Sequence, residues 1–161
     1  MSTATLVTNA GPITVELFDE DAPKTCDIVW NALPVSGDVY HAKYASNEIY
    51  TLVPPLQGQE PGGENITIVP AAGDVCYFYF PIGEIGYRWA REKGFADIPA
   101  VVDLAIFYGR NNLLLSPTQG FVRANVYATI VEDFEAFAAL TTGGDWPHAR
   151  RSGRPNAAVG R

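Results

Sequence analysis

The chain has 161 residues, enough for one domain with a sizeable core, and its 47% apolar and 18% charged residues exclude a disordered polymer. Eight Tyr, eight Phe and three Trp, with 12 Pro and 15 Gly, point to many short strands and turns. The net charge is −7. Without Arg150, Arg151, Arg154 and Arg161 near its end, the remainder is close to −11, a body that repels phosphate backbones and argues against nucleic acid as a partner.

Residues 4–8 and 12–18 read as two strands joined through Asn9-Ala10-Gly11, with Gly11 supplying a positive φ. In the second strand Ile13, Val15 and Leu17 alternate with Thr14 and Glu16, which buries one face. A helix is predicted over 22–33. Asp21 is the expected cap, Pro23 suits the first turn and Pro34 ends it. Cys26, Val29, Trp30 and Leu33 make its apolar stripe.

Strands are predicted near 38–44, 48–53, 65–69, 74–80, 101–108 and 122–131, and a second helix over 132–140, ended by Gly143-Gly144. Residues 84–99 interrupt two strong strand signals and read as an insertion or lid. The pattern predicts a mainly β domain over 1–144, a closed antiparallel eight-stranded barrel with two capping helices. A two-sheet sandwich is the alternative from pattern alone. Residues 145–161 form a basic tail, expected to dock through Trp146 onto this acidic body or onto a neighbouring subunit as the arm of a homo-oligomer.

Cys26 and Cys76 have no metal-binding or redox spacing and read as buried free thiols. The first residues show no signal-peptide pattern, and the longest apolar run, Val75–Phe80, is too short to span a bilayer. The expectation is a cytoplasmic protein with no membrane partner and no cofactor. Phosphate loops, GxSxG and HExxH are missing, and with only His41 and His148 a multi-His metal site is not expected.

The stretch ITVELFDEDAPKT (13–25) resembles the opening strand and helix of cyclophilins, and NVYATIVEDFEAFAAL (125–140) resembles their last strand and helix. The resemblance implies a cyclophilin-like barrel. It does not carry over the prolyl isomerase site. Tyr40-His41 stand where cyclophilins have Phe-His, but Ala42 occupies the position of the Arg that polarises the prolyl amide. Lys43 is one residue off, which in a strand is the other face. Ala124 stands where the family has a pocket His. The middle of the chain is similar to small bacterial cyclophilin-like proteins of unknown function. The shared segments are His41-Ala42, Glu48-Ile49-Tyr50, Gly73-Asp74 with Tyr77, and Ile106-Phe107-Tyr108-Gly109-Arg110. That branch supplies a fold and no reaction.

The candidate site residues come from those segments. His41 and Glu48, on adjacent predicted strands, suit an acid–base pair; a core histidine and an ordinary cross-strand glutamate are the plainer alternative. Tyr108 and Arg110 share a strand face, and Arg can hold a carboxylate bidentately; a surface ion pair is the plainer alternative. The function read from the sequence is binding of a small, carboxylate-bearing ligand by His41, Glu48, Tyr108 and Arg110 in a barrel-wall pocket roofed by 84–99. An enzyme using His41 and Glu48 is the alternative, and prolyl isomerisation is disfavoured.

Overall fold

The computed structural model describes residues 2–8, 11–57, 59–95 and 97–143 and the backbone of 156–160; side chains are described for all of these except Thr8 and 156–160. The protein is mainly β. Seven strands of six to eight residues build an antiparallel half-barrel: β1 (Thr3–Thr8), β2 (Gly11–Leu17), β3 (Val35–His41), β4 (Glu48–Val53), β6 (Asp74–Pro81), β7 (Ala100–Phe107) and β10 (Ala124–Ile130). The two-residue β5 (Ile66–Thr67) pairs with β10, and β8 (Leu115–Ser116) with β9 (Gly120–Phe121) makes a separate small hairpin. β11 (Asn156–Gly160) pairs through its backbone with β1 and β3.

The alternation in the sequence sets these strands. In β2, Ile13, Val15 and Leu17 are buried between half-exposed Thr14 and Glu16. Gly11, at φ +106°, begins the strand where an L-residue with a side chain would be strained. β7, AVVDLAIF, is buried throughout because both of its faces are covered. The register aligns Ile49 of β4 with Ile106 of β7, and Ile106 with Val75 of β6. Residues of this parity, with Leu6, Val15, Val39 and Leu104, form the main core on the inner face.

Three helices follow from local signals. α1 (Pro23–Ala32) starts with Pro at its first turn and sends Cys26 and Val29 into the inner core. Asp21 is not its cap, a correction to the sequence reading: the N-cap residue is Ala22, with no side-chain bond. The Glu64 carboxylate, from a distant loop, accepts from the backbone N–H of Thr25 at 2.9 Å and of Lys24 at 3.3 Å. α3 (Phe134–Gly143) buries Phe137 in the same core. The short α2 (Tyr87–Glu92) lies within the 84–99 segment. No helix among the described residues is long and apolar enough to cross a membrane. Trp146 and the four terminal arginines lie outside the described residues, so the expected anchor of the tail falls there too.

Candidate functional site

β3 ends on His41, paired opposite Ile49, so the imidazole shares the inner face with Val39 and Ile49. Tyr108 follows β7 directly and is buried; its N–H donates to the Asn47 carbonyl at 2.9 Å. The two rings meet edge to face, 5.6 Å between centroids. His41 Nδ1 lies 2.8 Å from the Ala42 carbonyl. A carbonyl only accepts, so Nδ1 carries a hydrogen and donates. In the neutral ring Nε2 is then the acceptor, and the Tyr108 hydroxyl donates to it. Burial pushes the phenol pKa up, so the donor keeps its proton. Backbone carbonyl, imidazole and phenol thus form a three-member relay with each orientation fixed by the one before.

The inner face next to this relay holds a cavity of about 40 Å³ lined by Val39, Ile49, Thr51, Leu104, Ile106 and Tyr127, among others. That is room for about one water, not for an organic ligand. Thr51 Oγ1 has no hydrogen-bond partner and is cut off from solvent.

Of the four residues expected to share a pocket, the structure joins His41 and Tyr108 and separates the others. Glu48 precedes Ile49, so it faces outward from β4, away from His41; only its carbonyl reaches the histidine's neighbour, accepting from Ala42 N–H at 2.9 Å. The expected His41–Glu48 acid–base pair is therefore corrected. Arg110 lies in the turn after Tyr108 with its side chain exposed. The backbone of that turn is fixed. Asn47 Nδ2 donates to the Arg110 carbonyl at 2.7 Å, and Asn112 Nδ2 donates to the carbonyls of Gly109 at 2.8 Å and Pro70 at 2.9 Å. Gly109 is required here, because a Cβ would fall 2.7 Å from the Asn47 side chain. Asn47 and Asn112 escaped the sequence reading because turn asparagines usually serve their own turn, not a loop some 65 residues away.

The outer face of the same strands carries a second polar constellation. Glu48 and Asp103 are 5% and 7% exposed. Burial drives the Glu48 carboxyl up to about 8, and burial with the nearby Glu48 charge drives Asp103 well above the carboxylate range. Asp103 Oδ1 has no hydrogen-bond partner. Asp103 was not singled out from the sequence; its signal was a lone charge inside the apolar run AVVDLAIF. The 84–99 segment lies over this face and not over the His41–Tyr108 relay, which corrects the expected lid position. Ala90 shares a buried cluster with Leu52 and Val101, against which Trp89, Ile98 and Tyr50 pack, and Ile85 packs against the cluster that holds Phe78, Phe80 and Ala105. Among the described residues no group of three or more His, Cys, Asp or Glu is placed to hold a metal.

Comparison with known proteins places this geometry in context. The profile of a family described as Protein of unknown function (DUF3830) matches residues 5–145. No curated protein matches the sequence. The structure is similar to that of McbB, solved in complex with tryptophan: TM-score 0.61, 17% identity, 98% of this chain and 44% of McbB covered. The chain thus spans less than half of McbB. It is also similar to the solution structure of a hypothetical protein from Archaeoglobus fulgidus, with TM-score 0.52, 21% identity, and 99% and 93% of the two chains covered. The mimivirus cyclophilin matches with TM-score 0.47 and 12% identity over 98% of this chain and 85% of its own.

Proposed function

The chain belongs to the family described as Protein of unknown function (DUF3830), and we propose that it binds a small carboxylate-bearing ligand at the end of the half-barrel where His41 and Tyr108 meet. Its fold is cyclophilin-like, without the isomerase Arg and pocket His, whose places are taken by Ala42 and Ala124. The observation that carries the reading is the relay from the Ala42 carbonyl through His41 to the Tyr108 hydroxyl. Such pre-oriented donors are what a recognition site requires. An incoming carboxylate competes with the His41 Nε2 for the Tyr108 O–H. Arg110, two residues on and exposed, supplies the fixed positive charge. Glu48 is not part of this site. The reading includes a cytoplasmic setting, in keeping with two buried free thiols. It also includes β11 as an eighth strand that closes the barrel of its own chain.

McbB was solved with tryptophan, so tryptophan heads the panel of small carboxylates to be titrated while the His41 ring nitrogens are followed by NMR. A bound carboxylate is expected to shift both nitrogens, and Tyr108→Phe and Arg110→Ala to weaken it. The reading is wrong if no carboxylate moves the His41 ring, or if Arg110→Ala and Tyr108→Phe bind as wild type does.

The same relay favours a second reading, an enzyme in which Tyr108 and His41 pass a proton. An enzyme would exchange an acidic C–H of its ligand with deuterated solvent; a binding protein leaves it intact.

A further inference from the structure

We propose that Asp103, at the end of the outer face that the 84–99 segment covers, and Glu48, further along the same face, form a second site, which takes a small organic ammonium ion. It lies on the opposite face of β4 from the His41–Tyr108 relay and stands independently of it. Asp103 sits in an apolar layer: Val101 and Ala105 flank it along β7, and Leu52 and Phe78 pair with it on either side. A leucine there would complete the layer. A carboxyl there instead leaves a buried oxygen without a hydrogen-bond partner, which is unfavourable. Glu48 lies on the same face four residues along the ladder, opposite Phe107 where Asp103 is opposite Leu52, with Tyr50 between the two, and among the described residues no hydrogen bond or ion pair reaches its carboxyl. Nothing in the packing of the sheet uses either group, and a cation between them would satisfy both.

The surroundings select the kind of cation. Calcium and magnesium need about six oxygen ligands, and two carboxyls fall short. The walls are aromatic: Tyr50 lies beside the pair on β4, and Tyr40 of β3 packs on Tyr50 at 5.7 Å. Ring faces beside a carboxylate suit an alkylammonium. The cations of the 84–99 segment have other contacts: Lys93 with Asp38 at 2.6 Å, Arg88 with Glu92 at 2.6 Å, and Arg91 over the Tyr87 ring at 5.7 Å. The other titratable groups facing the pair are Tyr40 and Asp38 on β3, Tyr50 on β4, and Cys76 and Asp74 on β6. None of them offers a positive charge.

Entry is through the roof. The 84–99 segment hinges on glycines at positive φ, Gly86 at +79° before α2 and Gly94 at +80° after it, with Gly83 at +100° just upstream. It covers the Asp103 end of this face through Ala90, with Trp89, Ile98 and Ile85 around it, contacts that a lifting segment releases together. The ammonium then replaces the proton that the empty pair retains, so binding releases a proton to solvent.

The test is titration of the full-length protein with benzylamine, with benzyl alcohol as neutral control, followed by calorimetry in buffers of different ionisation enthalpy. Benzylamine is expected to bind with proton release, and benzyl alcohol not to bind. Asp103→Asn and Glu48→Gln are each expected to weaken benzylamine by about tenfold or more. If a variant fails to fold, the wild type still decides. Carbon-13 NMR of the Asp103 and Glu48 carboxyls should show their titration midpoints fall when benzylamine is added. Absence of benzylamine binding, equal binding of the alcohol, or unmoved carboxyl midpoints would overturn the site.

Discussion

Glu48 keeps its proton in the folded protein because burial raises its carboxyl from an ordinary 4.5 to about 8. The unfolded chain gives that proton up in the acid range. Between these values the native state binds the extra proton, so stability falls as pH rises. The contribution is whole below about pH 4.5 and lost as pH climbs through about 8, at no more than about 1.4 kcal/mol per pH unit. The melting temperature is therefore expected to decline from mildly acidic to mildly alkaline solution, and Glu48→Gln to flatten the decline; thermal scans across that range check it. The residue scale is also where the sequence was hardest to read. His41 and Glu48 are plausible partners by type and spacing. Which faces they take depends on the register that the 42–47 connection imposes, and a connection does not announce its geometry. Asp103 was legible in principle, since a charge in an eight-residue buried run has to be explained.

Elements fared better, because period-two alternation is a property of the chain itself. The predicted 48–53 is the observed β4, 74–80 stops one residue short of the end of β6, and 101–108 lies one residue late at both ends of β7. Strand β3 was placed three residues late, since Gly37 in the sequence looks like a break. The structure shows why a glycine is there: a Cβ on Gly37 would overlap the Thr51 hydroxyl across the β3–β4 ladder. Gly37→Ala is expected to cost about 1–3 kcal/mol. Most of that should disappear when Thr51→Ala is added, because the hydroxyl that clashes is gone. Urea unfolding of the two single variants and the double variant measures this coupling.

For the whole molecule, motifs at the two ends of the matched region were enough to fix the fold, since they hold the first strands, α1 and α3 around the inner core. What they could not show is that the half-barrel packs on both of its faces, with the 84–99 segment and the 109–123 loops covering the outside. The pairing of β11 between β1 and β3 gives a prediction at this scale. Deleting 145–161 uncovers two strand edges, so the truncated protein is expected to melt lower and to self-associate. Calorimetry and sedimentation test this, and an unchanged melting temperature and mass would refute it. Finally, a polar knot ties the start of α1 to the rest of the molecule. Glu64 holds the first amides of α1, while Asn125 of β10 accepts from Glu64 N–H at 3.0 Å and donates to Thr25 Oγ1 at 3.2 Å and to the Gly62 carbonyl at 2.7 Å. A helix start normally frays on its own. Here the amide protons of Lys24, Thr25 and Glu64 are shielded by the same knot, so in deuterated water they should exchange at one common rate, that of the 62–65 loop lifting from β10.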